Sequence, residues 1–168
     1  MKLQYNGIFA KDALPPLLHN GAYIANTGES HDIGEHWVLT YVKERQLYFI
    51  DSFAEPPMYY GKEFVNWIKS YPGKVNQLQQ PLQHPLSHFC GLYVLFFFYH
   101  LSRNYSLYRI LKYFSRNSLQ NDRNVVAFSK KKFGKFKPIL HKGGASSKLY
   151  KEKMNKDFSL LLFKHRTK

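Results

Sequence analysis

The chain holds one cysteine, Cys90, at the head of its longest apolar run, Gly91 to Leu101. A cysteine in the first turn of a buried helix is a candidate nucleophile, because the unpaired amides and the helix dipole there favour the thiolate, and a neighbouring imidazolium favours it further. The competing reading is a small core residue of ordinary reactivity. Gly91 removes a side chain where a substrate carbonyl would approach the backbone, although the same glycine also suits tight helix packing. Gln83 lies seven residues before Cys90 on a segment turned by Pro85. Its amide would join the Cys90 N–H in donating to an oxyanion, or serve as a polar loop residue like its neighbours Gln79 and Gln80.

Activation of a thiol needs a base, and the base needs an orienter. Among eight histidines, His36 begins an otherwise apolar segment and precedes Trp37, whose indole would shield the ring from water. The segments from His36 to Lys43 and from Gln46 to Phe53 both read as strands, with Trp37, Leu39 and Tyr41 on one face of the first. A two-residue loop at Glu44 and Arg45 pairs Lys43 with Gln46 and sets His36 opposite Phe53. Asp51 is then the same-face diagonal neighbour of His36, at a Cβ separation of roughly 7–8 Å or less, which permits a carboxylate–imidazole hydrogen bond. The alternative role for Asp51 is to cap the turn at Ser52 and Phe53. His84 and His88, four apart, suggest a metal site, but Pro85 opposes a helix holding both, and no second cysteine or nearby acid completes a set.

These residues need a framework. Residues 7–20, with a Pro-Pro pair, read as a loop with at most one helical turn, and Ala22 to Asn26 as a short strand. Tyr60, Phe64, Trp67, Ile68 and Tyr71 recur at helical spacing and predict one amphipathic helix from Met58 to Tyr71. Val75 to Leu82 is strand-like. A helix apolar nearly all round is expected from Cys90 to Ser102, and two more from Ser106 to Phe114 and from Asn121 to Phe128, the last capped by Asn121 and Asp122.

The net charge of +14 divides unevenly. Residues 1–128 carry 12 Lys and Arg against 9 Asp and Glu, whereas residues 129–168 carry 13 against 2. The expected organisation is one domain over 1–128 and a basic tail over 129–168, flexible or partly helical. Such a tail attracts nucleic acid by counterion release, or is a solvated end; charge alone does not separate the two. One cysteine excludes an internal disulfide, and no stretch has the layout of a signal peptide or the length of a membrane-spanning helix. The expectation is a soluble intracellular monomer.

Several separated segments together resemble the adenovirus-type cysteine proteases, the adenain family, and their relatives in Polinton/Maverick transposons. They are Gly-Ile-Phe-Ala-Lys-Asp-Ala-Leu-Pro (7–15), Tyr-Ile-Ala-Asn-Thr (23–27), Gly-Glu-His-Trp-Val (34–38), Tyr-Phe-Ile-Asp-Ser-Phe (48–53), Leu-Gln (82–83), Ser-His-Phe-Cys-Gly-Leu-Tyr (87–93) and Asn-Asp-Arg-Asn-Val (121–125). The order His, acid, Gln, Cys is what makes the set specific. The resemblance implies an α+β fold, shared with SUMO proteases, in which a mixed β-sheet packs against a central helix bearing the nucleophile at its N-terminus. It implies His36 as general base, Asp51 as orienter, Cys90 as nucleophile, Gln83 in the oxyanion hole, and Trp37 and Gly91 beside the substrate. It further implies cleavage of viral or transposon-encoded precursors after glycine, in a host nucleus or virion, with no cofactor for the chemistry and with stimulation by DNA. Removal of a ubiquitin-like modifier by the same chemistry is the alternative, and a basic nucleic-acid-binding protein is the rival of another class. The family's disulfide-linked peptide cofactor has no second cysteine to use here, and the Gly143-Gly144 pair in the tail is a candidate for self-cleavage.

Overall fold

The structure, a computed structural model, describes residues 3–15, 19–32 and 35–134. Five strands, β1 (Tyr5–Phe9), β2 (Gly21–Asn26), β3 (Trp37–Lys43), β4 (Gln46–Ile50) and β5 (Lys74–Gln77), form one sheet in sequence order. The inner three pair antiparallel, while β1 on β2 and β5 on β4 are parallel. The helices are α1 (Lys62–Lys69), α2 (Cys90–Leu101), α3 (Leu107–Leu111) and α4 (Ser118–Phe133). The architecture is therefore α+β with a mixed sheet. Among the described residues no helix is long and apolar enough to cross a membrane.

Strand alternation sorts the core into two faces. Ala22, Ile24, Trp37, Leu39 and Ile50 pack with the buried side chains of α2 and with Val125 of α4. Tyr23, Ala25, Val38, Leu47 and Phe49 pack on the other face against Phe64, Trp67 and Ile68 of α1. Leu92 to Phe97 are all buried, so α2 must lie inside, and each such large side chain contributes roughly 1.5–3 kcal/mol on burial. That burial holds the first turn of α2 in place.

The β3–β4 hairpin turns at Glu44 and Arg45, both left-handed at φ 51° and 61°, and the ladder pairs Lys43 with Gln46 and Leu39 with Ile50. Both values suit the tight turn whose twist matches the strands, although neither residue favours that conformation. Extended by three residues, this register sets His36 against Phe53, as the two-residue loop requires.

Several elements differ from the sequence expectation. Residues 5–9 form β1, an edge strand bulged between Tyr5 and Gly7, not a loop; its partial burial and its glycine weaken the alternating signal. The helix expected from Met58 to Tyr71 is broken at Gly61, whose φ of 104° no helix accommodates, into a 3-10 turn (Pro57–Tyr60) and α1. The strand expected to reach Leu82 ends at Gln77. The helix at 106–114 is confined to α3, capped by the Ser106 side chain accepting from the Arg109 amide. Helix α4 starts three residues earlier than Asn121, with Asn117 accepting from the Gln120 amide, and runs past position 128 to Phe133, with Ser129 buried. The tail segment 135–168, with Gly143 and Gly144, lies outside the described residues.

Candidate active site

His36 immediately precedes β3 and is 8% exposed. Its Nε2 lies 2.7 Å from Asp51 Oδ1, just beyond β4, so the diagonal relation across the hairpin becomes a hydrogen bond. Asp51 is 1% exposed and its carboxylate is fully occupied. Oδ1 also accepts from the Phe53 amide at 2.9 Å, and Oδ2 accepts from the Tyr60 hydroxyl. The two roles weighed for Asp51 thus coexist: it caps the turn and orients the imidazole.

The ring of His36 stacks with Phe53 at 5.0 Å and with Tyr60 at 5.7 Å between centroids. With Nε2 committed to Asp51, Nδ1 is the nitrogen free for the nucleophile. The Cys90 side chain is a further electrostatic neighbour of the ring. Burial by itself pushes the imidazole down, but the hydrogen bond to Asp51, the neighbouring Cys90 side chain and the charges of both outweigh it and raise His36 from 6.5 to about 9. Tyr60 is pushed upward by burial and by the Asp51 charge, so it remains a neutral donor.

Cys90 is the first residue of α2 and is partly exposed. Phe89 occupies the N-cap position and offers no side-chain cap, which leaves amides at the helix start without an intramolecular side-chain acceptor. Such donors suit a developing oxyanion. Gly91, half-buried, follows in the same turn.

Gln83 is 1% exposed and held at both ends. Its Oε1 accepts from Ser52 Oγ at 2.7 Å and its Nε2 donates to the Ser87 carbonyl at 2.8 Å. Because a carbonyl only accepts, the Ser87 oxygen determines which end of the amide carries nitrogen, and the second amide hydrogen is left for a ligand. The Gln83 loop is itself anchored. The Ser52 carbonyl accepts from the Leu82 and Gln83 amides at 2.8 and 3.0 Å, and Asn121 Nδ2 donates to the Leu82 carbonyl at 3.0 Å. The Tyr93 hydroxyl lies 2.8 Å from Asp122 Oδ1 and 3.0 Å from the same Leu82 carbonyl. Asn121 and Asp122, expected as helix caps, are instead buried inside α4 and clamp the loop that carries Gln83.

A cleft of about 630 Å³ is lined by His36, Gln83, Phe53, Thr27, Glu35 and Glu55, among others. Neither Trp37 nor Gly91, both expected beside the substrate, is one of its lining residues, and Cys90 is not one either. Trp37, expected also as a shield for the ring, is placed elsewhere. It is 8% exposed and belongs to the core cluster against which Cys90 packs, because strand alternation turns it toward α2. The aromatic cover on His36 comes from Phe53 and Tyr60 instead. Among the described residues no three His, Cys, Asp or Glu side chains group as a metal site, and His84 Nδ1 accepts from the Leu86 amide within its own turn.

The structure therefore pairs His36 with Asp51, sets His36 and Gln83 on one cleft, and has Cys90, at the start of α2, as an electrostatic neighbour of the His36 ring. Sequence reasoning missed Ser52, which joins the acid-bearing turn to the glutamine loop, and the hydroxyl of Tyr60, which donates to Asp51. Their adjacency to Asp51 and to the aromatic stripe was visible, but a hydroxyl in a turn and a tyrosine in a stripe carry no distinguishing pattern. Set against family models and curated proteins, the chain matches none.

Proposed function

We propose that this chain is a cysteine endopeptidase that processes precursor proteins after glycine, in the manner of the adenovirus-type proteases that its sequence resembles. The observation that carries the reading is the imidazole of His36, hydrogen-bonded through Nε2 to a buried carboxylate and raised to about 9 beside the only cysteine, itself at an uncapped helix start. Such a ring is an imidazolium at neutral pH, the partner a thiolate needs.

The Cys90 sulfur adds to the scissile carbonyl, and the displaced electron pair becomes an oxyanion facing the free amide hydrogen of Gln83 and the Cys90 N–H. Collapse breaks the C–N bond as the His36 imidazolium gives its proton to the departing amine, leaving a thioester. The now neutral His36 takes a proton from water as the water oxygen attacks the thioester, and breakdown of the second tetrahedral adduct releases the carboxylate product and restores thiolate and imidazolium. Asp51 stabilises each imidazolium stage without moving a proton. Removal of a ubiquitin-like modifier would use the same steps and differ only in substrate.

A second reading, nucleic-acid binding, is favoured by a surface where cations lie over tyrosines: Arg103 over Tyr99 at 3.6 Å, Arg109 over Tyr105 at 4.0 Å and Lys112 over Tyr108 at 4.5 Å. It is compatible with proteolysis, and DNA stimulation would couple the two.

Alkylation kinetics test the protease reading. With iodoacetamide at neutral pH, Cys90 should react at least about tenfold faster than free cysteine, and His36→Ala should abolish the excess. Equal rates for the protein, the variant and free cysteine would refute it. Hydrolysis of Gly-Gly peptides by the wild type, absent in Cys90→Ser, is the direct measurement. Loss of DNA binding in a salt series, unaffected by Cys90→Ser, would isolate the second activity.

A further inference from the structure

Nine of the chain's aspartates and glutamates fall among the described residues, and six are engaged. Asp12 holds Ser30, Asp32 accepts from the Glu29 amide, Glu29 lies near His31, Glu44 lies near Lys43, and Asp51 and Asp122 are occupied as described above. Among the described residues, Glu35, Glu55 and Glu63 accept no hydrogen bond and pair with no cation. In a chain with 25 Lys and Arg against 11 Asp and Glu, unpaired carboxylates are the scarcer kind of charge. All three line cavities: Glu35 and Glu55 the cleft at His36, and Glu63 a second cavity of about 310 Å³ between residues 11–15 and α1. Lys11 lines both, and Asp12, already bonded to Ser30, lines the second beside Glu63.

Each space is also lined by a residue that carries a buried, unpartnered polar atom. Thr27, 2% exposed, lines the cleft with its Oγ1 unpartnered, and Trp67, 4% exposed, lines the second cavity with its Nε1 unpartnered.

We infer that the cleft and the cavity beyond Lys11 select an extended basic peptide, with Glu35 and Glu55 receiving a Lys or Arg side chain close to the scissile bond and Glu63 receiving one farther along. This rests on the protease reading of the cleft and adds a substrate class to it. Charge placed this way raises the encounter rate and discriminates against acidic segments. The chain's own residues 138–149, which place Lys142 before Gly143-Gly144, have the required character.

The test uses peptides with the sequence of residues 138–149 in which every lysine is kept, replaced by norleucine, or replaced by glutamate. Binding is read by fluorescence anisotropy on the full-length Cys90→Ser protein, and turnover on the wild type. The lysine form should bind about tenfold tighter than the norleucine form and more tightly still than the glutamate form, with the preference shrinking as salt rises. In the Glu35→Gln/Glu55→Gln/Glu63→Gln protein the lysine-to-norleucine ratio should fall toward unity. Equal binding of lysine and glutamate peptides, or a preference that survives all three substitutions, overturns the inference. A preserved binding preference with no turnover of any peptide overturns the protease reading alone.

Discussion

The raised imidazole of His36 makes stability depend on pH in a direction that can be worked out. In the unfolded chain this ring titrates near 6.5, and in the fold near 9. The folded state therefore holds one more proton between those values, and the free energy of unfolding falls as pH rises through that window. Below about 6.5 the contribution is fully present; above about 9 it is gone. The gap corresponds to roughly 3 kcal/mol, and His36 is buried enough for little of it to be screened. The perturbation is His36→Gln, which removes the titration, compared with Asp51→Asn, which removes the carboxylate whose hydrogen bond is the largest single upward contribution. Urea unfolding followed by tryptophan fluorescence from about pH 5.5 to about 9.5 gives both curves, with constant m-values confirming that the folded state is unchanged. The wild-type stability minus that of His36→Gln should be flat at low pH and decline by roughly 3 kcal/mol across the window. For Asp51→Asn the decline should be smaller and should end at lower pH. A flat difference, or one that grows with pH, would refute the assignment of His36 as an imidazolium held by Asp51.

Other substitutions probe the oxyanion side and the hairpin. Gln83→Ala should lower kcat on a Gly-Gly peptide by about 10²–10³ with little change in KM. Ser52→Ala should cost less, about tenfold in kcat, since the Ser87 carbonyl still orients the amide, but it leaves buried Gln83 Oε1 without a donor and should lower stability by about 1–3 kcal/mol; a wild-type kcat in both variants would show that the amide faces no reacting atom. Replacing Glu44-Arg45 by Asn-Gly, residues suited to φ 51° and 61°, should raise stability by about 1 kcal/mol in urea without altering kcat, and a loss of stability would mean that the turn is not under the strain inferred.

The hairpin shows how far local information reaches. A two-residue loop and strand alternation determine which residues oppose which, so the His36–Asp51 relation followed from spacing once the loop at Glu44 and Arg45 was accepted. The apolar run after Cys90 likewise located α2, because a helix buried on every side has few other sequences open to it. Gly61 defeated the same reasoning in the next segment: the apolar spacing from Tyr60 to Tyr71 was regular, but one residue at φ 104° divided it, and periodicity is blind to that.

Residue types, their order and the short-range geometry of one hairpin are properties of the chain, and they sufficed to nominate His36, Asp51, Gln83 and Cys90. Which end of the Gln83 amide carries the nitrogen was decided elsewhere, by Ser52 and Ser87 on either side of it, and its loop is clamped by Asn121, Asp122 and Tyr93 from α4 and α2. The same is true of Tyr60, whose hydroxyl meets the Asp51 carboxylate through the fold of the site rather than through any repeat in the chain. Such choices depend on groups up to 39 residues apart finding one another, and a hydrogen bond of that kind has no period and leaves no local trace in the sequence.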